Sequence, residues 1–368
     1  MPTDVVIIGG GVMGCSIALR LAQQGALVTV LERSIPGAEA SSAAAGMLAT
    51  QMEAHQAGPF LDLCLASRAL YPAFAEELRE LSGVDIGYRR SGLFHALFDE
   101  VSVEKAEKTV AWQQSIGLTA QLLTGDQARA LEPALSPRVL AAAFFPDDHQ
   151  VESRLLVRAL TMAAARAGVK FRSGHVRSVV MQDGRALGVD LEGERIEASA
   201  TVIAAGSWSG LVQGSQLSPQ AVRPAKGQML QLQLRLPPFE RILFSDQGYL
   251  VPRADGRVIA GSTMELVGFE KQVTALGLSR ILAMALRLCP ALEHAEVGEF
   301  WAGLRPYTKD HLPILGPGPA DGLFLATGHF RNGILLTPIT ARLVADLVLG
   351  KTPSLPLEPF GYGRFEHS

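Results

Sequence analysis

The chain has 368 residues, 48% of them hydrophobic and 19% charged, with a formal net charge of −3 at pH 7. That length exceeds what one core usually supports, so two domains are expected, and the hydrophobic content excludes a disordered chain. No basic stripe marks a nucleic-acid surface, and no uninterrupted apolar run is long enough for stable membrane insertion: residues 155–168 are broken by Arg158 and Arg166. A first strand beginning at residue 3 leaves no room for a secretion signal. Cys15, Cys64 and Cys289 are scattered without metal spacing and the histidines form no close pair, so reduced thiols, no metal and a cytoplasmic location are expected.

Residues 3–8 form a short apolar, β-branched run, and Gly9-Gly10-Gly11-Val12-Met13-Gly14 follows at once. Residues 15–24 then carry helical periodicity, with Ile17, Leu19, Leu21 and Ala22 available for a buried face. Gly25 ends the helix, and residues 26–32 read as a second strand closing on Glu32, eighteen residues after Gly14. Each part of this strand, Gly-x-Gly-x-x-Gly, helix, strand, acid order has a task. Gly9 permits the tight turn, Gly11 lets backbone approach a pyrophosphate, and Gly14 lets helix and strand pack closely. The helix N-terminus, with Val12 and Met13, supplies free amides and partial positive charge, and Glu32 accepts hydrogen bonds from a ribose.

The loop 33–48 holds a run of small residues, Ala40-Ser41-Ser42-Ala43-Ala44-Ala45-Gly46-Met47-Leu48. A helical or linker alanine run is one reading. The other is backbone approaching a flat cofactor, where large side chains would collide. Helices are expected at 60–81, 102–117, from Thr124 onward and at 152–168, and strands at 88–98 and 139–145. Residues 176–180 and 186–191 read as a hairpin about Asp183-Gly184. Residues 198–205 form an apolar strand ending at Gly206-Ser207-Trp208. From 222 to 299 the texture changes to alternating runs at 227–236, 248–251 and 258–262, which suit a mixed or antiparallel sheet. Residues 322–328 again read strand-then-glycine, leading through His329-Phe330-Arg331-Asn332-Gly333 into a helix to Leu349.

Three strand ends with small residues thus occur in one chain, at 9–14, 204–206 and 327–333. A nicotinamide dehydrogenase needs only the first. A chain that returns to its cofactor at the C-terminal end suits a long, permanently held FAD. A last helix starting near Gly333 can present its amides to the flavin pyrimidine carbonyl and stabilise the negative charge of reduced flavin.

At this point the residues resemble the FAD-dependent amine oxidases related to D-amino-acid oxidase, and within them the bacterial glycine oxidases of thiamine biosynthesis. The resemblance spans nearly the whole chain. It rests on the 40–48 run, on Gly303-Leu304-Arg305-Pro306-Tyr307-Thr308-Lys309-Asp310, and on Gly328-His329-Phe330-Arg331-Asn332-Gly333-Ile334-Leu335-Leu336. It implies an α/β fold: a discontinuous Rossmann-like FAD-binding domain from 1–85, 140–220 and 297–368, and a mixed-sheet substrate-binding domain from 86–139 and 221–296. By resemblance Arg305 grips the substrate carboxylate, Tyr249 is the active-site tyrosine, and Arg331 lies near flavin and substrate. Met264 lines the pocket, Glu53 sits near its entrance, and the Val176 backbone contacts adenine. The same resemblance assigns to the cofactor Gly9, Gly11, Val12, Met13, Gly14, Glu32, Arg33, Ser41, Ser42, Ala44, Ala45, Gly46, Met47, Ala205, Gly206, Trp208, Arg305, Arg331, His329, Asn332, Gly333, Ile334 and Leu335, with His329 structural rather than catalytic. Sarcosine-oxidase relatives attach flavin through a cysteine near this arginine. Here residues 301–310 hold none, the nearest being Cys289, so the FAD is expected to be non-covalent. A homotetramer is also implied.

The chemistry implied is oxidation of glycine, another small amine or a D-amino acid with molecular oxygen, giving the 2-oxo acid, ammonia and hydrogen peroxide. The flavin carries the hard step, so the protein must chiefly fix the carboxylate, which an arginine fork matches bidentately. Arg305 read alone could instead be a domain-interface ion pair, Tyr249 a strand aromatic, and Arg331 a strand cap or phosphate ligand. Two further functions remain open on the sequence: a D-amino-acid dehydrogenase that passes electrons to a quinone or protein, and a flavin-holding subunit of an amine-oxidising complex.

Overall fold

The first strand forms over Asp4–Ile8 because its β-branched run can be covered on both faces. The computed structural model describes residues 4–53 and 56–365, so Thr3, where the expected strand begins, lies outside the described residues. In spatial order the sheet around this strand runs Ile314–Pro317, Leu323–Thr327, Ala200–Ile203, Asp4–Ile8, Leu27–Glu32 and Lys170–Ser173. All neighbours are parallel except the first pair. The carboxyl ends of the three glycine-punctuated strands therefore lie side by side in the middle of one sheet, where parallel α/β sheets bind ligands.

Helices cover this sheet. Val12–Gln23 packs against Gly333–Val348 and Ser153–Arg166, and Pro59–Ser82 against both of those. The expected single buried face of the first helix is too narrow: Val12 to Leu19 and Leu21 are all buried. A helix enclosed by sheet and two helices has no wet stripe, so its periodicity shows only part of its burial. Pro59–Ser82 ends where Gly83 adopts φ 74°, a left-handed C-terminal turn. The loop 33–48 is not wholly irregular. It contains the single helical turn Ala40–Ala43 and the strand Met47–Leu48, paired with His149–Gln150.

The second sheet has eight strands in the order Glu296–Tyr307, Arg223–Gln233, Arg257–Gly261, Gly248–Pro252, Ile242–Ser245, Leu93–Leu97, Ala141–Phe145 and Gln121–Thr124. Only Ile242–Ser245 and Leu93–Leu97 pair in parallel, which is the mixed character expected. The expected strand 88–98 is confined to Leu93–Leu97, because Gly92 turns the chain at φ 74° before it. Two elements not anticipated complete this half. Glu296–Tyr307 forms the sheet edge, and helix Ala275–Leu288 buries Ile281, Met284, Ala285 and Leu288 against the sheet's core. That helix does carry a start signal, since Thr274 accepts the Gly277 amide. The hairpin at Asp183-Gly184 forms as read, with φ 50° and 77° at the two turn residues.

Gly14 shows how tightly the first turn is closed: a Cβ there would lie 1.9 Å from the Gly9 carbonyl oxygen. Helix and strand meet only because neither has a side chain at this contact. Gly14→Ala is expected to destabilise the fold by about 1–3 kcal/mol, the usual cost of overpacking. Urea unfolding of the cofactor-saturated protein reads this directly, and an unchanged midpoint would contradict it.

Candidate functional site

A cavity of about 440 Å³ runs between the two sheets. Its dinucleotide end is built from the glycine turn. Gly9 holds φ 106°, and a Cβ there would strike the Ala204 carbonyl oxygen at 2.5 Å. The cradle is thus closed to any side chain by the neighbouring strand. Val12 gives its amide to Ser41 Oγ at 3.1 Å, and among the described residues no protein acceptor takes the amides of Gly11 and Met13. Glu32 is fixed by the amides of Gly10 (2.9 Å) and Ser34 (3.0 Å), which hold its carboxylate on the cavity wall. The Arg33 guanidinium stacks 3.8 Å from the Trp208 ring centroid and pairs with Glu39 at 3.2 Å. Val176, Ala205 and Gly206 line the same end.

The small residues behave as close-approach backbone. Ala44, Ala45, Gly46 and Met47 all line the cavity, and a Cβ on Gly46 (φ 79°) would lie 1.9 Å from the Val151 carbonyl oxygen. The other long wall comes from the chain's last helix. Asn332, Gly333 and Ile334 line it at the helix start. Pro338 inside that helix cannot donate to the Ile334 carbonyl, and the Tyr71 hydroxyl donates to it instead. Ser67 Oγ donates to the next carbonyl, Leu335, at 2.6 Å. His329 is buried, with Nε2 3.1 Å from Thr340 Oγ1, and burial pushes its pKa down to about 3.

At the far end two arginines differ in how their charge is met. Arg305 Nη2 donates to Ser262 Oγ at 2.5 Å and Nη1 to the Thr263 carbonyl at 3.2 Å, both neutral acceptors. Its guanidinium lies over Gly227, where a Cβ would fall 2.2 Å from both terminal nitrogens. Among the described residues no carboxylate pairs with it. Arg331, by contrast, is paired with Glu53 at 2.8 Å. Tyr249 donates to Met229 Sδ at 3.6 Å and stacks with Phe244, their centroids 6.3 Å apart. Met264 is half exposed at the rim.

The structure therefore brings Arg305, Tyr249, Arg331, Met264 and Glu53 to one cavity with the dinucleotide cradle. Three of the assigned cofactor residues do not line it. Gly14 packs on Gly9, Ser42 gives its amide to the Gly37 carbonyl, and Leu335 is buried in the core. Of the other wall residues, Gly303 and Pro306 flank Arg305 in its motif, whereas Gly227, Met229, Phe244 and Asp246 were not singled out. Gly227, Met229 and Phe244 come from strands of the second sheet and Asp246 from the turn after Ile242–Ser245, with no local motif, so only strand pairing assembles them. No cysteine lines the cavity, and among the described residues no group of three or more His, Cys, Asp or Glu side chains could hold a metal ion.

A family model described as FAD dependent oxidoreductase (DAO) matches residues 4–347. The chain is 41% identical to the bifunctional protein ThiO/ThiG of Synechocystis sp., over 99% of this chain and 54% of that protein. It thus spans about half the length of such bifunctional relatives. It is 39% identical to the glycine oxidase of Geobacillus kaustophilus, over 98% of this chain and 97% of that protein. The crystal structure of glycine oxidase from Geobacillus kaustophilus matches with a TM-score of 0.95 at 38% identity, covering 99% of each chain.

The buried His329 makes stability depend on pH. Its folded pKa lies below the unfolded value of about 6.5, so protonation favours the unfolded chain. The contribution is fully present above about 6.5 and is lost as pH falls toward about 3, at up to about 1.4 kcal/mol per unit. Asp148, whose carboxyl burial raises to about 7, acts in the opposite sense over the same range, so the His329 contribution is read as a difference: between pH 7 and pH 5 the urea midpoint of His329→Asn should fall less, or rise more, than that of the wild type. An equal pH response in the variant would place the sensitivity elsewhere.

Proposed function

The chain belongs to the FAD dependent oxidoreductase (DAO) family, and from that premise we propose that it oxidatively deaminates glycine and other small amines or D-amino acids. The cofactor is FAD. When bound, FAD accepts a hydride from the amine's α-carbon and passes the electron pair to molecular oxygen as hydrogen peroxide, while the released imine hydrolyses to the 2-oxo acid and ammonia.

The residues present fit that group. The closed Gly9 cradle and the Gly11 and Met13 amides suit the pyrophosphate, and Glu32 suits the ribose. Arg33, Trp208 and Val176 would flank the adenosine end, and Ser41, Ala44, Ala45, Gly46 and Met47 would follow the flavin. Asn332, Gly333 and Ile334 would place helix amides at its pyrimidine edge. Attachment is non-covalent in this reading, because all three cysteines are buried away from the cavity.

The observation that carries the substrate reading is Arg305. Its fork is braced by neutral oxygens, so its charge is left for a ligand carboxylate. A small amino acid offers few contacts, and holding its carboxylate orients the α-carbon hydrogen. Tyr249, Met229, Phe244 and Met264 form the apolar side of the pocket and limit water around the neutral amine. No helix among the described residues is long and apolar enough to cross a membrane. The cytoplasmic location expected from the scattered cysteines and the homotetramer implied by the resemblance belong to this same proposal.

Adding glycine to the FAD-loaded protein should release hydrogen peroxide. Reduction of an artificial acceptor without peroxide would reassign the electron acceptor. Acid precipitation should leave FAD in the supernatant, and flavin retained in the pellet would contradict non-covalent binding. Arg305→Ala should cost on the order of 2–5 kcal/mol, as for an unpaired charge in a desolvated pocket. That corresponds to roughly 30- to several thousand-fold in kcat/KM for glycine. Arg305→Lys keeps the charge without the fork and should recover only part. The flavin-to-protein absorbance ratio should stay normal, and a variant that loses its flavin would give Arg305 a structural role instead.

A further inference from the structure

Behind the wall that carries Glu53 lies a buried polar cluster with no place in the site just described. Asp148 is fully buried, and both of its carboxylate oxygens are spent on one short piece of backbone. Oδ1 accepts the Gln51 amide at 2.9 Å and Oδ2 the Met52 amide at 3.0 Å. The Gln51 side chain is also fully buried and braced on every polar atom. Its Oε1 accepts from Arg68 at 2.9 Å, and its Nε2 donates to Gln113 Oε1 at 2.9 Å and to the Thr119 carbonyl at 3.0 Å. Gln113 returns a bond to the Gln51 carbonyl at 2.8 Å. The Glu53 amide closes the turn on the Ala49 carbonyl at 3.2 Å.

This turn is therefore held from behind by three elements: the segment at Asp148, helix Pro59–Ser82 through Arg68, and helix Glu100–Ser115 through Gln113. Its front face belongs to the cavity, where Ala49 and Glu53 are wall residues and Glu53 meets Arg331. Burial pushes the Asp148 carboxyl up to about 7, against the two amides and Arg68, which hold it down. The Arg68 guanidinium stands 3.9 Å away, too far to be a close ion pair. Such a buried carboxylate is costly, and an apolar side chain would fill the space more cheaply. What a carboxylate does here that neither an apolar side chain nor an amide can do is offer a separate acceptor oxygen to each of two adjacent backbone N–H groups.

We propose that Asp148 is a positioning residue for the amine site: by clamping the Gln51 and Met52 amides it fixes the turn that sets Glu53 against Arg331. Arg331 is thereby held at the mouth with its charge met, and among the described residues at this end of the cavity Arg305 remains the fork open to a substrate carboxylate. This rests on the reading of the cavity as the amine site. Releasing the clamp frees Glu53, leaves a second, unset arginine on the wall, and weakens the single productive carboxylate pose.

The test compares Asp148→Asn, Glu53→Gln and the double variant, each FAD-loaded. An asparagine presents one oxygen and an NH₂ group, so one amide of the pair loses its acceptor. Each single variant should raise the glycine KM by about 5- to 20-fold, and Asp148→Asn should keep kcat within about twofold, since the reacting end is untouched. The double variant should be no worse than the worse single, because both act through one contact. Glycolate, a carboxylate without an amine, titrated against the flavin absorbance, should show the same weakening without turnover. In the wild-type holoenzyme the amides of residues 51–52 should exchange with deuterium slowly, as core amides do. That last measurement stands even if Asp148→Asn fails to fold. Fast exchange, an Asp148→Asn protein with unchanged KM and glycolate affinity, or additive effects in the double variant would overturn the proposal. A wild type that releases no peroxide from glycine would count against the amine-oxidase reading instead, and the glycolate titration and exchange would still decide the clamp.

Discussion

The molecule turns on one buried guanidinium. Arg253 follows the strand Gly248–Pro252 of the second sheet, is 6% exposed, and reaches across into the dinucleotide-binding half. Nη1 donates to Gln150 Oε1 and to the Val151 carbonyl, both at 3.0 Å, and Nη2 to the Ala45 carbonyl. Its Nε lies 3.2 Å from the Glu152 carboxylate, which Arg257 also meets at 3.0 Å. Burial pushes its pKa down to about 10, with Glu152 opposing the fall. The Ala45 carbonyl belongs to the cavity wall, and Gly46 beside it has no room for a side chain. The small-residue segment is thus held at its distance from the cavity by a residue of the other sheet. Removing one partner of such a buried network costs about 3–5 kcal/mol, so this side chain ties the two halves together strongly.

The same logic recurs along the cavity. At several places along its walls a bond that regular structure would supply is missing, and a side chain from a distant element supplies it. The Ile334 carbonyl, left without a helical donor by Pro338, takes the Tyr71 hydroxyl. The Val12 amide takes Ser41 Oγ. The Gln51 and Met52 amides take Asp148. Each repair follows from the cost of an unmade buried hydrogen bond. Together they give the cavity stiff walls without bulk on them.

Charge is distributed with equal economy. Two arginines face the substrate end, but one is met by Glu53 and the other only by neutral oxygens. A pocket with a single uncompensated fork selects a ligand with a single carboxylate, and two open forks would select a different one. On the proposed reading, selectivity depends on what stands behind the arginines as much as on the arginines themselves.

Much of this was legible in the chain. The order of strand, glycines, helix and acid at its start, the strand ends at 204–206 and 327–333, and the Asp183-Gly184 hairpin are local signals, because turns and phosphate cradles are made of neighbours in sequence. Arg305 and Arg331 stood out by their motifs. Other features were not legible. The edge strand Glu296–Tyr307 lacks a clean alternation, since its first half is exposed on both faces. The burial of Val12 to Leu19 all round needs helices more than a hundred residues away. Gly227, Met229 and Phe244 reach the cavity only through strand register. The sequence by itself determined the dinucleotide cradle and singled out the motif that carries Arg305, because both are short-range patterns. Only the tertiary structure decided which arginine keeps its charge open, and that Asp148 and Arg253 hold the walls, because hydrogen-bond partners so far apart in the chain leave no spacing to read.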